Sequence, residues 1–153
     1  MSASAKVLLA PFLIAAKTRT YAADDERQLL ALDDGGLEAS FALGELRYRD
    51  RWYGGASFSG QELVWHAERP CWSMTFHGTT AADAPAEFFH FHKQALRRVP
   101  PEAPWRGPAL HREGDFLYVN DWSGTLARFR GVERAFLRQA EIYRLEYQGG
   151  LLD

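Results

Sequence analysis

Two glutamates occur in the same local pattern in the two parts of the chain. Glu62 and Glu133 each end a Phe-x-Gly-x-Glu segment, and the two segments are 71 residues apart. In an extended strand, side chains two residues apart point to the same face of the sheet. Each glutamate is therefore predicted to share a face with apolar and aromatic residues. A buried carboxylate is costly there, so it must find a donor, change its pKa or meet a ligand.

Two interpretations of these glutamates remain open. In the first, Glu62 and Glu133 form a central site that recognises a cation or hydrogen-bond donors. Aromatic walls would then supply apolar surface and cation–π contacts, and the candidates are Trp72, Phe76, Tyr143 and Tyr147. In the second, each glutamate forms a structural ion pair, with Arg47, Arg49 or Arg106 as candidate partners.

His92 and Arg106 are the other candidate site residues. His92 falls in the centre of the apolar arc of a predicted helix, where it is either a satisfied core histidine or a base in a pocket. Arg106 follows Trp105 and precedes Gly107-Pro108. That loop could close over a pocket and present Arg106 to an anion, or it could be a rigid turn with a stacked tryptophan.

Patterns typical of catalytic and metal centres are missing from the sequence. His90 and His92 are two apart on a helix and point to different faces, and no HExxH or Cys/His spacing occurs, so no metal and no cofactor are expected. The chain contains neither a G-x-S-x-G segment nor a P-loop. Cys71 could act as a nucleophile only if the fold brought it to His66 or His92.

The first element is predicted to be a buried helix over residues 6–19, with Pro11 as an alternative start. Its apolar run resembles the core of a short signal peptide, but Lys17 and Arg19 follow at once. The run is too short to span a bilayer as a helix. We therefore expect Met1–Thr20 to pack as part of the domain.

Strands dominate the rest of the first half. A turn at 33–36 is flanked by two short strand candidates, and residues 46–52 alternate as in a half-buried strand that ends at Gly54-Gly55. Residues 58–66 and 71–77 form a predicted hairpin. If the hairpin is centred on its turn, Gly60 faces Gly78.

The second half begins with the clearest helix. Asp83 is a candidate cap, Pro85 lies in the first turn, and Pro100-Pro101 ends the helix. The predicted apolar arc consists of Phe88, Phe89, Phe91, Ala95, Leu96 and Val99. The later strands are predicted at 116–120, 125–130, 131–136 and 142–147, with Gly149-Gly150 ending the last.

The offset of 71 residues predicts a duplicated unit. Phe58, Gly60, Glu62 and Gly78 recur as Phe129, Gly131, Glu133 and Gly149, and upstream Leu46 and Asp50 recur as Leu117 and Asp121. The predicted fold class is therefore α+β: a single domain, 1–153, of two pseudo-symmetric helix-plus-antiparallel-sheet halves at about 1–80 and 81–153.

Composition places the chain among ordinary globular domains. It has 153 residues, 46% of them hydrophobic, and a net charge of -2. The arginines are interleaved with acidic residues, so direct nucleic-acid binding is not expected. The single cysteine cannot form an internal disulfide. We expect a cytoplasmic protein with no membrane partner, and a homo-oligomer remains open.

The order of several short motifs resembles a family of small bacterial domains of unknown function, found alone or behind an N-terminal helix-turn-helix domain. The matching segments are Phe12-x-x-Ala15-x-Lys17-x-x-Thr20-Tyr21-Ala22, Tyr53-Gly54-Gly55-x-x-Phe58-x-Gly60-x-Glu62, Trp72-x-Met74-x-x-x-Gly78, Arg106-Gly107-Pro108 and Tyr147-x-Gly149-Gly150. The resemblance implies a role beside transcriptional regulators and brings no catalytic residues.

Two functions from different classes follow. The favoured one is a non-catalytic binding or sensor module for an amphipathic or cationic small molecule. The alternative is a small enzyme that uses Glu62 or Glu133 as general base with His92 or Cys71. A carboxylate with a perturbed pKa in a pocket would fit either.

Overall fold

The structure, a computed structural model, describes residues 3–20, 22 and 29–153. These residues form two helices and one nine-stranded antiparallel sheet, and most of them lie in the sheet. The helices are α1 (Ala3–Arg19) and α2 (Ala86–Leu96). The strands are β1 (Leu30–Ala31), β2 (Leu37–Leu43), β3 (Leu46–Gly54), β4 (Ser57–His66), β5 (Arg69–Thr80), β6 (Leu110–Glu113), β7 (Phe116–Thr125), β8 (Arg128–Leu137) and β9 (Ala140–Leu151). The predicted combination of helices with an antiparallel sheet is confirmed.

The sheet is assembled from two runs of hairpins that meet in its middle. Its order is β1-β2-β3-β4-β5-β9-β8-β7-β6, so β5 and β9 are the central pair. Phe76 of β5 lies opposite Tyr147 of β9. α1 packs against β2 and β3, and α2 packs against β7. The core therefore lies between the helices and one face of the sheet.

The two central hairpins have the same turn and the same register at the offset of 71 residues. Ala67 and Glu68 have φ values of 46° and 69°, and Arg138 and Gln139 have 47° and 74°. Two consecutive residues with positive φ form the turn whose twist matches that of the flanking strands. Each hairpin also has a register shift three residues before its turn, after Val64 or Ala135.

The glycines of these hairpins face aromatic residues and do not face each other. Phe58 lies opposite Gly78 and Gly60 lies opposite Phe76, so the predicted pairing of Gly60 with Gly78 is wrong by two residues. The second hairpin pairs Phe129 with Gly149 in the same way. The aromatic rings lie across the glycines, where any side chain would collide with them.

Replacing Gly60 by alanine should destabilise the protein by about 1–3 kcal/mol, the usual cost of overpacking. The new Cβ would lie 2.6 Å from Phe76 Cζ and 2.8 Å from Trp52 Cβ, and it would also meet the Arg51 carbonyl. Gly55→Ala is the control, because in the described structure a Cβ at Gly55 would meet nothing within 4 Å. Urea denaturation of both variants measures the difference, and equal stabilities would contradict the packing argument.

The strands before these hairpins correspond at an offset of 70, and not 71. Tyr48 pairs with Val64 and Tyr118 pairs with Ala135. Leu46 and Asp50 therefore correspond to Phe116 and Asn120, so the predicted match to Leu117 and Asp121 is wrong. Gly54 pairs with Phe58 across three residues, whereas the equivalent pair, Gly124 and Phe129, encloses four residues, and this one-residue difference changes the offset.

α1 packs as a helix of the domain. Its buried side chains recur at helical spacing: Leu9, Phe12, Leu13, Ala16 and Lys17. Pro11 lies inside the helix, so the alternative start at Pro11 is wrong. Met1 and Ser2 of the predicted helix, and Tyr21 of the motif that follows, lie outside the described residues. Neither described helix is both long and apolar enough to cross a membrane.

α2 differs from the prediction at its start and on one face. Pro85 occupies the N-cap position, and no side chain in the described structure caps the helix, so Asp83 is not the cap. Phe88, Phe91, Ala95 and Leu96 are buried as predicted. Phe89 is instead 54% exposed, because the buried arc is narrower than the run of phenylalanines.

Several strand predictions in the second half are wrong. The sequence does not predict β6, and β7 extends beyond the predicted end at residue 120 to Thr125. The predicted strands 125–130 and 131–136 are replaced by one strand, β8, that runs through Gly131. β9 continues through Gly149 and Gly150 to Leu151. In β8 and β9 a glycine that signals a break in sequence instead provides room for a ring or a neighbouring backbone.

Candidate active or binding site in the buried polar network

Two pairs of charged side chains lie buried between the helices and the sheet. α1 and β4 supply Lys17 and Glu62. The loop after α2 and strand β8 supply Arg106 and Glu133. All four are at most 4% exposed. Buried charges are stable only when they are paired, and each of these carboxylates has its own cation.

Glu62 is bound by the lysine of α1. Lys17 Nζ donates to Glu62 Oε2, and both side chains are completely buried. The ammonium group also lies 5.7 Å from the ring centroid of Tyr48 and 5.8 Å from that of Trp72, within cation–π range. Burial lowers the pKa of Lys17, although Glu62 acts in the opposite direction.

Glu133 is held by a two-point contact with Arg106. Arg106 Nε donates to Oε2 at 2.5 Å, and Nη2 donates to Oε1 at 2.9 Å. Burial alone would raise the pKa of Glu133, but Arg106 and His92 outweigh burial and hold the pKa at about 2. Glu133 is therefore ionised at neutral pH.

Asp50 is a third buried carboxyl beside the first pair. It lies directly opposite Glu62 on the neighbouring strand and is 4% exposed. Its Oδ1 has no hydrogen-bond partner among the described residues, and neither has Glu62 Oε1. Burial, and then the charge of Glu62, raise the pKa of Asp50 well above its usual value. Both effects favour the neutral form of the Asp50 carboxyl.

The equivalent position in the second hairpin carries a neutral and fully partnered side chain. Asn120 lies opposite Glu133, donates to the Gly107 carbonyl at 2.9 Å and accepts from Tyr147 Oη at 2.8 Å. Asn120 and Asp50 occupy equivalent positions and differ only in the polar group that they carry. The amide on β7 is satisfied by its neighbours, whereas Oδ1 of the carboxyl on β3 has no hydrogen-bond partner among the described residues.

His92 lies at the edge of the second pair. Its side chain is 15% exposed, with Nε2 3.8 Å from Glu133 Oε1 and its ring 4.4 Å from that of Tyr143. The prediction that His92 packs against the sheet is confirmed. Burial lowers the pKa of His92 despite the nearby Glu133, so the imidazole is neutral at pH 7.

A cavity of about 280 Å³ lies between these two polar groups. Asp50 contributes to one part of its wall, and Arg106 and His92 contribute to another. The rest is mostly apolar: Trp52, Phe58, Phe76, Phe88, Phe89, Leu96, Tyr143 and Leu145. The cavity thus combines aromatic walls with a buried, unpartnered acid, the composition expected of a small-molecule site.

Residues 50–152, more than half of the chain, match the DUF5680 family, a domain of unknown function. The chain belongs to the DUF5680 family. None of the curated proteins or solved structures compared with the chain matches it. The DUF5680 match begins at Asp50 and includes every residue that lines the cavity. Lys17 and the rest of α1 precede the matched region.

The DUF5680 cavity contains some of the predicted site residues and not others. Phe76, Tyr143, His92 and Arg106 line it. Glu62 and Glu133 lie behind Asp50 and Arg106 and do not reach its surface. Trp72 is stacked on Phe129 at 5.7 Å. Tyr147 lies over Gly131 and binds Asn120.

Sequence reasoning missed Lys17 and Asp50. Of the predicted arginine partners, only Arg106 pairs with one of the two glutamates, Glu133. Arg47 and Arg49 instead stack on Trp65 on the outer face. A signal existed for both missed residues. Lys17 continues the helical spacing of buried α1 residues, and Asp50 lies on the inner face of β3 with Tyr48 and Trp52.

The loop that carries Arg106 has the stacked tryptophan of the second alternative. Trp105 is fully buried and stacks on Phe129, with ring centroids 4.2 Å apart and planes 7° apart. Arg106 is thereby held in a rigid turn and still reaches the cavity wall. Its strongest partner is the protein's own Glu133 and not an external anion.

The remaining chemistry-bearing residues of this DUF5680 chain lie elsewhere. Cys71 lines a separate cleft with His66 and Leu152, and burial raises the pKa of its thiol. The described residues contain no group of three or more side chains that could hold a metal ion.

A larger depression of about 770 Å³ crosses β5, β9, β8 and β7. Its charged residues, such as Asp121, Arg130 and Glu146, are solvent-exposed. Solvated charges are already stabilised by water, whereas the buried Asp50 Oδ1 has no hydrogen-bond partner among the described residues. The smaller cavity beside Asp50 is accordingly the better candidate.

Proposed function

We propose that this DUF5680 chain is a non-catalytic binding or sensor module for a compact amphipathic molecule, which it holds in the cavity beside Asp50. One observation carries the proposal. A carboxyl that is 4% exposed, and has no hydrogen bond from the described residues, forms part of the wall of an otherwise aromatic cavity. Such a group is costly unless something supplies a partner, and a bound ligand can do so.

The size and walls of the cavity favour a small ligand with an apolar body. Its volume of about 280 Å³ is at the low end of the range of about 300–1,000 Å³ that is usual for ligand sites. Phe58, Phe76 and Phe88 offer ring surfaces to an apolar group or to a cation.

Two features favour binding over the alternative of catalysis. Glu133 would be a weak base, because Arg106 holds it ionised with a pKa of about 2. A general base also needs a second polar group within hydrogen-bond reach, and Asp50 has none among the described residues. The Cys71 thiol lies in a different cleft from His92. We therefore place no catalytic residue in this chain.

We also infer that the two hairpins are copies of one ancestral unit. The shared turns, registers and glycine–aromatic pairs support duplication. The ligand would then lie between two pseudo-symmetric halves that differ at Asp50 and Asn120.

A cytoplasmic role beside bacterial transcriptional regulators fits a ligand sensor that does not itself bind nucleic acid. The exposed arginines are consistent with this, since several have acidic partners, for example Arg47 with Glu68 and Arg138 with Asp115.

A panel of compact aromatic compounds, charged and neutral, tests the proposal by NMR. At least one member should shift the amide resonances of cavity residues such as Phe76 and Tyr143, with saturation. Leu96→Trp should abolish the shifts, because Leu96 lines the cavity and a larger side chain would fill it. A panel without any saturable shift, or binding that persists in Leu96→Trp, would contradict the proposal.

A further inference from the structure

The chemistry of the Asp50 region defines the class of ligand more narrowly. Asp50 and Glu62 are directly opposite on β3 and β4, and both side chains face the core. Directly opposite residues have Cβ atoms about 4.5–5.5 Å apart, so their carboxyl groups are neighbours. Asp50 Oδ1 and Glu62 Oε1 each lack a hydrogen-bond partner among the described residues. The two carboxyl groups therefore lie side by side, and the pair itself contains a donor only when one of them is protonated.

The charged groups around these oxygens come from every element that packs there. α1 contributes Lys17, β4 contributes Glu62, the loop after α2 contributes Arg106, and β8 contributes Glu133 behind it. α2 contributes the neutral His92 and the partly buried Lys93 to the far wall. Lys17 is paired with Glu62 and Arg106 with Glu133. The described side chains provide no third buried cation for Asp50.

The balance of buried charges favours one protonation state of Asp50 when no ligand is bound. Ionisation would place a third buried negative charge next to Glu62, opposed by no additional cation among the described residues. The acid therefore keeps its proton, in agreement with its raised pKa. A positively charged ligand would supply the missing cation, and Asp50 could then release its proton.

We propose that the cavity binds the primary ammonium group of a compact aromatic or branched aliphatic amine, and that binding releases the proton of Asp50 to solvent. This inference rests on the proposed function. The step is balanced: the ammonium ion and the neutral acid give an ammonium–carboxylate pair and one free proton. An ammonium group has three donors, and Asp50 in the cavity wall can accept from it. A quaternary ammonium ion has the charge without donors, and an alcohol has one donor without the charge.

Calorimetry with 2-phenylethylamine tests the proposal on the full chain. Titrations at pH 7 in two buffers with different ionisation enthalpies should show release of close to one proton per amine bound. Affinity should then rise by about tenfold per pH unit until Asp50 is ionised in the free protein or the amine loses its proton. 2-Phenylethanol and phenylethyltrimethylammonium should each bind at least tenfold more weakly than the amine.

Asp50→Asn should abolish both the proton release and the preference for the amine over the alcohol. Asn120 shows that an amide is accommodated at the equivalent position of the other hairpin. Asp121→Asn, on the exposed face of β7, is the matched control and should behave as the parent does. Should Asp50→Asn not fold, as shown by its NMR spectrum, the proton count of the parent protein decides the matter.

The outcomes separate this inference from the proposed function. If the alcohol binds as tightly as the amine, without proton release, and Leu96→Trp abolishes that binding, then the amine proposal is wrong and the binding site stands. If the amine binds with proton release in Asp50→Asn as well, Asp50 is not the acceptor and the inference is overturned. If none of the three probes binds, the inference is overturned, and the panel of aromatic compounds then decides whether the proposed function stands.

Discussion

Replacing Arg106 by alanine should lower the free energy of unfolding by about 3–5 kcal/mol at pH 7, the usual cost of removing one partner of a buried ion pair. Glu133 is completely buried and receives two hydrogen bonds from Arg106. Without the guanidinium group, the carboxylate must remain unpaired or take up a proton. Urea denaturation of the parent and the variant at pH 7 measures the effect.

An exposed arginine provides the control for this substitution. Arg144 also makes two hydrogen bonds to a carboxylate, Glu141, but the two side chains are 44% and 33% exposed. Arg144→Ala should therefore cost less than about 1 kcal/mol. The double variant Arg106→Met/Glu133→Leu should recover much of the loss, because it leaves no charge unpaired. A cost below 1 kcal/mol for Arg106→Ala would contradict the pairing argument.

The stability that the Arg106–Glu133 pair supplies should depend on pH with a definite sign. The folded pKa of Glu133, about 2, lies below its ordinary value of 4.5. The contribution is therefore complete above about pH 4.5 and is lost as the pH falls towards 2. The difference in stability between the parent and Arg106→Ala should shrink over the same interval.

The hairpins could be predicted from sequence because their patterns are local. Alternation in β3, and the two aromatic runs around residues 67–70, reflect a sheet with one face in the core. The same reasoning failed on register. The turn at Ala67 and Glu68 has positive φ values without glycine or asparagine, so sequence gave no sign of where the two-residue turn begins.

The predicted strand limits were wrong at glycines that a tertiary contact requires. Gly131 was expected to start a strand and Gly149 to end one, because isolated glycines usually interrupt strands. In the structure Tyr147 lies over Gly131 and Phe129 lies over Gly149. These contacts are between strands and depend on register, which a local pattern does not contain.

The types of residue in the candidate site could be predicted from the sequence, but their arrangement in space could not. The two glutamates are buried among aromatic residues, as strand alternation indicated. Their cations come from α1 and from a loop, 45 and 27 residues away in sequence. Which oxygen is left without a partner depends on those distant contacts. Asp50 could therefore be recognised as a candidate site residue only from the fold, which places it opposite Glu62.

Replacing Lys17 by methionine should destabilise the protein by about 3–5 kcal/mol at pH 8, again the cost of an unpaired buried charge. Methionine keeps the length and helix propensity of the lysine, so α1 itself should be unaffected. Arg138→Met, which breaks an ion pair with 79% and 58% exposed side chains, is the control and should cost less than about 1 kcal/mol. Thermal and urea denaturation measure both.

The cost of Lys17→Met should increase with pH, and this trend separates lost charge from lost packing. Lys17 lowers the pKa of Asp50, so its removal raises that pKa further. A carboxyl whose folded pKa exceeds its unfolded value binds more protons in the folded state, and stability falls as the pH rises towards that folded pKa. The parent shows the same fall up to the raised pKa of its own Asp50, so the additional loss in Lys17→Met develops above that pKa. We expect a small loss at pH 4 and the full loss at pH 8. A loss that is the same at both pH values would mean that Lys17 acts through packing alone, and Glu62→Gln in the Lys17→Met background would then restore no stability at pH 8.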